Sequence, residues 1–308
     1  MYRNLLRVFL SSGTSLTKRS VTTVSVSREI VPVDLSYNTY DNISSPTFGS
    51  PVLILHGLFG SKFNWNSLSK AFHLKTKPTR KIYSIDARNH GESPHTDAHS
   101  YEHMVADMIE LHKKLNTEKV SLIGHSMGGR TAMLLALKYP HLIDRVVIVD
   151  ISPTTGLGSS NTNIPLFLQS MKLIQIPASH SIHEARKIAD QQLAKIIEIK
   201  SLRDFLITNL VKSEEDGSFR WRINLDTLER DYEPGVAKFP DVGGARFEGP
   251  TLFIAGGRSD YIDKSDYPVI KKLFPNSEVK VIEGAGHWVH SEKSTEFANL
   301  VLSFLNES

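Results

Sequence analysis

The sequence contains no cysteine among its 308 residues. Disulfide bonds, thiolate nucleophiles and zinc-thiolate sites are therefore excluded, and the absence is compatible with a reducing compartment. Long apolar runs are missing as well, since stretches such as 146–149 and 251–255 fall far short of the roughly 20 residues that cross a bilayer. The remaining composition, 40% hydrophobic and 22% charged, is typical of a globular chain large enough for one core with an inserted subdomain.

Acidic residues are absent from positions 1–28, which contain five basic residues and ten serines or threonines. Arg3 and Arg7 lie one helical turn apart among apolar residues, so the start of the chain can form a basic amphipathic helix. This composition is typical of a mitochondrial transit peptide, with a disordered basic tail as the alternative. Without this segment the formal net charge changes from +3 to about −2, so nothing indicates a nucleic-acid partner.

From Pro51 onward, short apolar segments alternate with segments of helical length. Residues that are apolar in succession indicate strands buried on both faces, which requires helices on both sides of a parallel sheet. Residues 29–308 are therefore predicted to form an α/β domain, and 152–249 a helical cap inserted before the penultimate strand. The alternating stretch SREIVPVDLSYNTY predicts edge strands of a hairpin. The buried strands are predicted in VLILHG, KIYSIDAR, VSLIG, VVIVDI, TLFIAGG and VKVIEGAGH.

The segment GHSMG, residues 124–128, places a serine between two glycines where a predicted strand meets a predicted helix. In this context a G-x-S-x-G pattern forms a turn so sharp that only small residues fit two positions either side of the serine. The turn exposes the hydroxyl of Ser126 above the sheet and aims the N–H of Met127 at a developing anion. Ser126 is therefore the candidate nucleophile, and it needs a base, an acid and a second oxyanion donor.

The base and the second donor each have one strong candidate. His287 lies in a glycine-containing loop near the C-terminus, in the Ser, acid, His order of hydrolases with this sheet. His290 is expected to face solvent, and His125 to pack inside the turn. In HGLFG, after the strand VLIL, the N–H of Leu58 is the expected second donor; the alternative is a glycine-rich turn without a chemical role.

Two aspartates compete for the role of the acid. The usual position of this carboxylate, after the strand that begins at Pro250, is occupied by Ser259, and Asp260 lies one residue beyond it. A slip of one residue at a strand end redirects a side chain, so Asp260 is expected to point away from His287. Asp150, at the end of VVIVD, lies where catalytic groups gather at the carboxyl ends of parallel strands. We therefore favour Asp150 and keep Asp260 as the alternative.

The predicted cap supplies candidates for a substrate pocket, with packing inside the cap as the alternative for each of them. Three aromatic residues near the catalytic loops are expected to narrow the entrance. Asp86, in the charged turn SIDARNHGESP, is expected to be a structural brace rather than a catalytic group. The expected lining residues are Leu166, Phe167, Met171 and Trp221, and the residues expected at the entrance are Phe59, Trp65 and Trp288.

The motifs GHSMG, HGLFG, DARNHGES and GAGHW occur in an order that resembles the α/β-hydrolase superfamily from about residue 31 to residue 305. Together, DARNHGES, GHSMGGRTAM, VDISP, WRINLDTL and GGRSDYI are more narrowly similar to a mitochondrial group of α/β-hydrolase-domain proteins, the sn-1-specific diacylglycerol lipases. The resemblance implies a mitochondrial carboxylic ester hydrolase with Ser126 as nucleophile and His287 as base. It also implies that the acid of the triad comes from the strand that ends at Asp150, and that a serine occupies position 259, where other hydrolases have the acid. The triad requires no metal or organic cofactor.

The resemblance leaves several functions open, because the group is also similar to bacterial acyl-CoA esterases and a yeast ethanol acetyltransferase. An acyl-CoA thioesterase or an alcohol acyltransferase would use the same triad. A binding or protective role in the matrix is a further alternative, since relatives are linked to the 2-oxoglutarate dehydrogenase complex. Dehalogenase chemistry is disfavoured because it needs a carboxylate at the position of Ser126.

Overall fold

The structure is a computed structural model that describes residues 30–41, 49–154 and 163–307. The predicted transit peptide, residues 1–28, lies outside these ranges. Within them, no helix combines the length and the apolar character needed to cross a membrane.

A twisted sheet of seven strands forms the centre of the fold, and a two-stranded ribbon lies apart from it. In the described part of the chain the strands are β1 (Tyr37–Tyr40), β2 (Val52–Leu55), β3 (Ile82–Ile85), β4 (Val120–His125), β5 (Ile143–Val149), β6 (Leu210–Lys212), β7 (Phe219–Trp221), β8 (Thr251–Gly256) and β9 (Ser277–Ile282). The central sheet has the order β1-β3-β2-β4-β5-β8-β9. Only β1 runs antiparallel to its neighbour, so the prediction of a mostly parallel sheet is confirmed.

Helices cover both faces of this sheet, and four more lie in the segment between β5 and β8. In the described residues the helices are α1 (Asn66–Lys75), α2 (Tyr101–Leu115), α3 (Met127–Lys138), α4 (Ile164–Lys172), α5 (Ile182–Leu193), α6 (Lys200–Ile207), α7 (Leu225–Asp231), α8 (Tyr267–Leu273), α9 (Val289–Glu292) and α10 (Ser294–Asn306). In β2, Leu53 packs with α2 and α3 while Ile54 packs with α1 and α10 on the other side. Alternate residues of each strand thus enter two separate cores, which is why these strands are apolar throughout.

Helix α2 shows how local sequence sets the bounds of an element. The Ser100 side chain caps its first turn by accepting a hydrogen bond from the His103 N–H. Asn116, with φ 46°, ends the helix in the left-handed conformation that Asn tolerates. The bounds of this helix, 101–115, thus follow from side chains at its two ends.

The segment between β5 and β8 contains α4 to α7 and has a core of its own, in which Leu168, Met171 and Leu193 are buried. The sequence predicted helices alone here, but the short strands β6 and β7 pair antiparallel. Each has three residues, too few to show an apolar or alternating pattern.

The predicted N-terminal hairpin is wrong. Within the described part of SREIVPVDLSYNTY, residues 30–40, only β1 is a strand, and it pairs with β3 rather than with a preceding strand. The N–H of Val33 instead donates to the Asp107 carboxylate at 2.8 Å. A side-chain acceptor has therefore replaced the partner strand that the alternating pattern implied.

Arg88 and Asp107 form a buried ion pair beneath this segment. Arg88 Nε lies 2.7 Å from Asp107 Oδ2, and its terminal nitrogen 2.6 Å from Oδ1. The two side chains are 1% and 0% exposed, so water solvates neither charge. The pair joins the turn after β3 to helix α2.

We predict that Asp107→Ala lowers the free energy of unfolding by about 3–5 kcal/mol, because it leaves the Arg88 charge buried without a partner. Urea denaturation measures the loss. Glu110→Ala is the matched control: it removes the carboxylate of an ion pair with Lys113 on the same helix, where the side chains are 37% and 68% exposed, and should cost less than about 1 kcal/mol. Equal losses in the two variants would contradict the prediction.

Candidate active site

The turn between β4 and α3 consists of Ser126 alone. Its backbone has φ 52° and ψ −116°, and its N–H donates to the Val149 carbonyl at 3.1 Å. A Cβ at Gly124 would lie 2.3 Å from the Gly128 oxygen, and one at Gly128 would lie 2.4 Å from the Leu55 oxygen. Both glycines are therefore required by close backbone contacts, and together they let the serine occupy a strained conformation.

Asp150 lies directly after β5, at the same edge of the sheet, and its side chain is fully buried. Its Oδ1 accepts a hydrogen bond from the Gly256 N–H at 2.9 Å. Its Oδ2 accepts one from the Ser259 hydroxyl at 2.5 Å and lies 2.8 Å from His287 Nδ1. Three groups from the end of β8 and the loops after β8 and β9 thus hold this carboxylate in place.

His287 lies in the loop between β9 and α9. Its ring stacks on Tyr261, with centroids 3.9 Å apart and planes 21° apart. The loop is held by Glu292, which accepts hydrogen bonds from the Gly286 N–H at 2.9 Å and from Arg258 at 3.0 Å. Because Nδ1 faces Asp150, Nε2 is the ring nitrogen left for proton transfer.

Ser126 and His287 line one cavity, but no hydrogen bond joins these two described residues. Catalytic hydrogen bonds commonly tighten only around a bound substrate, so the geometry is compatible with proton transfer. Asp260 is exposed and lines the same cavity. Asp150, not Asp260, is the carboxylate that meets His287 Nδ1.

Two further histidines are buried beside His287. His125 Nε2 lies 2.9 Å from the His287 carbonyl, as expected for a residue packed within the turn. His290 is also buried, so the expectation that it faces solvent is wrong. Burial lowers the pKa of His125 well below its ordinary value, with the nearby His287 as a second cause, and lowers the pKa of His290 to about 3. Both are therefore neutral near pH 7.

Trp65 explains where His290 packs. The two rings are stacked, with centroids 4.3 Å apart and planes 5° apart, and Trp65 is only 1% exposed. The expectation that Trp65 narrows the entrance to the pocket is therefore wrong. His290 lies in α9, and its ring packs against Trp65 inside the protein.

The loop that carries Leu58 is held by two neutral histidines. His56 Nδ1 lies 2.7 Å from the Gly57 carbonyl, and its Nε2 accepts from the Ala87 N–H at 3.1 Å. His90 Nε2 accepts from the Phe59 N–H at 3.3 Å. Burial lowers the pKa of both imidazoles, which keeps each Nε2 available as an acceptor.

Asp86 fixes the far end of this loop. Its two carboxylate oxygens accept hydrogen bonds from the Lys62 N–H at 2.7 Å and the Glu92 N–H at 2.9 Å, and the Lys62 ammonium lies 3.2 Å away. The prediction of a structural brace is confirmed. The backbone of this loop also packs closely against the turn that holds Ser126. A Cβ at Gly57 would lie 2.8 Å from His125 Nδ1, so a side chain does not fit there.

A cavity of about 520 Å³ opens above Ser126 and extends under the cap. Phe59, Leu166, Phe167 and Trp288 line it, as predicted. The residues that sequence reasoning missed are Leu202, Phe205, Tyr261 and the segment KIIEIK, whose Ile196 and Ile199 are 43% and 61% exposed. Two isoleucines beside lysines were the signal that could have identified that segment. The lining also includes Leu58, Asn163, Ile164, Glu198, Arg258, Ser259 and Asp260.

Met171 and Trp221 do not line this cavity. Met171 is fully buried in the core of the cap, and the indole Nε1 of Trp221 donates to the Met171 carbonyl at 2.9 Å. The expectation that these two residues form the pocket is therefore wrong, because they bind each other inside the cap. Met127 begins α3, and its side chain is buried beside His99.

Comparison with known proteins agrees with this architecture. Residues 50–294 match the family model described as the alpha/beta hydrolase fold. The chain therefore belongs to the α/β-hydrolase family, and the prediction made from its motifs is confirmed.

Individual relatives indicate which class of α/β hydrolase the protein belongs to. The chain is 43% identical over 277 residues to the sn-1-specific diacylglycerol lipase ABHD11 of Mus musculus, covering 90% of this chain and 87% of the relative. It is 36% identical over 293 residues to a probable alcohol acetyltransferase of Saccharomyces cerevisiae, covering 89% and 84%. A solved marine microorganism esterase has a TM-score of 0.77 at 34% identity, covering 88% and 99%. These similarities identify the protein as an enzyme of the carboxylic ester hydrolase class.

The buried His290 makes stability depend on pH. Its pKa is about 3 in the folded protein and about 6.5 in an unfolded chain, so between these values only the unfolded chain binds the proton. Stability from this group is complete above pH 6.5 and falls by about 1.4 kcal/mol per pH unit below it. We predict that His290→Phe, which can keep the stack on Trp65, removes this contribution. Between pH 6 and 4 the free energy of unfolding of the variant should therefore fall by about 1.4 kcal/mol less per pH unit than that of the unmodified protein.

Urea denaturation at several pH values measures this slope. His141→Phe, which replaces an exposed histidine, should leave the slope unchanged. Identical slopes for His290→Phe and the unmodified protein would mean that the folded protein protonates His290 as readily as the unfolded chain does, which would contradict the prediction.

Proposed function

We propose that the protein is a serine hydrolase in which Ser126 is the nucleophile, His287 the base and Asp150 the acid. The observation that carries this proposal is the buried Asp150 carboxylate, which lies 2.8 Å from His287 Nδ1 while His287 and Ser126 face one cavity. Fixing Nδ1 orients the imidazole and stabilises its charged form during catalysis. Asp260, the alternative acid, has no such contact with His287.

The proposed reaction has two steps. His287 Nε2 takes the proton of Ser126 as Oγ attacks the ester carbonyl carbon, and the N–H groups of Leu58 and Met127 stabilise the resulting oxyanion. The bond to the leaving alcohol then breaks, and His287 gives the alcohol its proton. Water, deprotonated by His287, attacks the acyl-enzyme, releases the carboxylic acid and restores Ser126.

We propose acylglycerols as substrates, with cleavage of diacylglycerol at the sn-1 position. An apolar acyl chain suits the cavity because aliphatic and aromatic side chains of the cap form most of its wall, including Ile164, Phe167 and Phe205. The named activity of the ABHD11 relatives supports the same substrate class. A volume of about 520 Å³ lies within the ordinary range of small-molecule sites, about 300–1,000 Å³.

The charged groups of the cavity lining favour a neutral ester over an acyl-CoA thioester. Asp260 and Glu198 contribute carboxylates, whereas Arg258 is already paired with Glu292 at 3.0 Å. Repulsion by these carboxylates would oppose the phosphate groups of coenzyme A. The thioesterase alternative is therefore the weaker one.

Acyl transfer to an alcohol is the second candidate reaction, and the similarity to the yeast alcohol acetyltransferase favours it. The same acyl-enzyme would form, but an alcohol would replace water in the second step. Mitochondrial import through residues 1–28 and association with the 2-oxoglutarate dehydrogenase complex stay predictions from the sequence.

We predict that Ser126→Ala lowers kcat by several orders of magnitude, roughly 10⁶-fold, and abolishes labelling by a fluorophosphonate probe. Asp150→Asn should cost roughly 10⁴-fold in kcat because the amide no longer stabilises the charged imidazole. Asp260→Asn is the matched control and should cost at most a few fold. Hydrolysis of p-nitrophenyl butyrate measures all three.

Retention of activity in Ser126→Ala would overturn the triad. A large loss in Asp260→Asn with little loss in Asp150→Asn would instead move the acid to position 260. An unreactive Ser126 in the folded, unmodified protein would favour the binding or protective role.

A substrate panel tests the proposed specificity. We predict that diacylglycerol releases fatty acid from its sn-1 position faster than an acyl-CoA with the same chain is cleaved, because the cavity lining repels phosphate groups. Product analysis by mass spectrometry, with and without added ethanol or glycerol, separates hydrolysis from transfer. Ser126→Ala corrects for uncatalysed cleavage, and a dominant ethyl ester product would identify an acyltransferase.

A further inference from the structure

A second cavity, of about 90 Å³, adjoins the cavity above Ser126, and the proposed mechanism gives it no role. We call it the side cavity. Two of its lining residues, Asn64 and Ser291, are exposed, so it reaches the surface of the protein. Residues that line both cavities are Gly57, His125, Phe205 and Trp288. The side cavity thus runs from solvent to the wall of the substrate cavity.

Buried polar groups make the side cavity suitable for water. His290 lines it and is only 6% exposed, and its Nδ1 has no hydrogen-bond partner in the described part of the chain. A buried polar atom without a partner is costly unless it binds water.

His125 provides a second polar group at the inner end. Its Nε2 lies 2.9 Å from the His287 carbonyl, so in the neutral imidazole Nε2 carries the proton and Nδ1 is left as an acceptor. A bound water needs roughly 10–15 Å³ and about two to four polar partners. With the side chains of Asn64 and Ser291 nearer the surface, the side cavity has the room and the polar groups for several waters.

A thin wall separates the side cavity from the proposed catalytic residues. A Cβ at Gly57 would lie 3.2 Å from Ser126 Cβ, so the backbone of Gly57 lies directly against the nucleophile. The rings of Phe205 and Trp288 meet edge to face in the same wall, with centroids 5.6 Å apart. Trp288 directly follows His287, the base that must activate water in the second step.

We infer that the side cavity supplies the water that hydrolyses the acyl-enzyme, while the larger cavity holds the acyl chain. This inference rests on the proposed function. An acyl chain that fills the space under the cap excludes water from that side, so the second step needs another source of water.

The step itself is balanced by the groups already described. His287 Nε2 takes a proton from water as the water oxygen bonds to the acyl carbon. The proton then passes to Ser126 Oγ as the bond between Oγ and the acyl carbon breaks, and the carboxylic acid leaves.

This arrangement also separates the two acceptors that compete for the acyl-enzyme. Water reaches the acyl carbon from the side cavity, whereas a larger alcohol enters through the substrate cavity, by the path along which the leaving alcohol departs. The side cavity therefore favours hydrolysis over acyl transfer.

The test uses Ser291→Leu, which narrows the exposed mouth of the side cavity. The substrate is p-nitrophenyl decanoate, whose chain fills much of the larger cavity, in the presence of n-butanol. We predict that the first rapid release of p-nitrophenol is unchanged, because acylation uses no water. The ratio of decanoic acid to butyl decanoate should fall roughly tenfold, because water from elsewhere is less well placed for attack. Stopped-flow absorbance and gas chromatography measure the two quantities.

A short substrate is the internal control. The acetyl group of p-nitrophenyl acetate leaves most of the larger cavity open to water, so its product ratio should change little in Ser291→Leu. Ser294→Leu is the matched control variant: it adds the same side chain at an exposed serine at the start of α10, outside both cavities. It should leave the ratio unchanged for both esters.

His290→Phe tests the same inference without blocking the mouth. It keeps the ring and removes Nδ1, so the side cavity holds water less well. The acid-to-ester ratio for the decanoate should therefore fall in this variant too, even where Ser291→Leu fails to fold.

An unchanged ratio for the decanoate in both Ser291→Leu and His290→Phe would overturn the inference and assign the entry of water to the larger cavity. A slower first release of p-nitrophenol with an unaltered ratio would also overturn it and leave the side cavity a structural role only. Both outcomes differ from failure of the proposed function, in which Ser126→Ala keeps its activity.

Discussion

The arrangement of the site depends on one buried carboxylate. Asp150 is fully buried at the end of β5, where it binds groups at the ends of β8 and β9. A charge in this position is stable only while its donors are in place. The loops after β8 and β9 must therefore adopt one mutual arrangement, and that arrangement also places His287 against the cavity. Packing, electrostatics and the proposed chemistry are thus coupled at a single side chain.

The cap, the segment between β5 and β8, contacts the site from above the sheet. It has its own buried core, yet the Nδ2 group of Asn209 donates to the Phe59 carbonyl at 2.8 Å. The cap is therefore attached to the loop that carries Leu58 as well as to the sheet. Its inner surface supplies most of the apolar wall of the cavity, while the sheet edge supplies the polar groups. Variation of the cap can alter substrate choice without disturbing the groups proposed to carry out the reaction.

Sequence patterns predicted the sheet and the residues that meet at its edge, because both follow from local rules. Buried parallel strands are apolar in succession, and the glycines around Ser126 are needed wherever the turn is this tight. The preference for Asp150 over Asp260 came from counting residues along β8, which fixes where side chains point.

Predictions failed where an apolar side chain had two possible partners. Trp221 and Met171 pack against each other inside the cap, whereas Phe167 faces the cavity, and all three are apolar residues of one segment. His290 and Trp65 are joined by a contact between distant parts of the chain, which no local pattern encodes. Strands β6 and β7 are too short to leave a periodic signal.

The backbone at the site carries a further consequence. Ser126 and Asp150 follow adjacent strands, and both have positive φ, at 52° and 49°. Glycine adopts such conformations with the least steric cost, so at these two positions the residues that the proposed reaction needs differ from those best suited to the backbone. The protein thus gives up stability at the two positions that hold the proposed nucleophile and the proposed acid, so the proposed activity and the fold make opposing demands on the same residues.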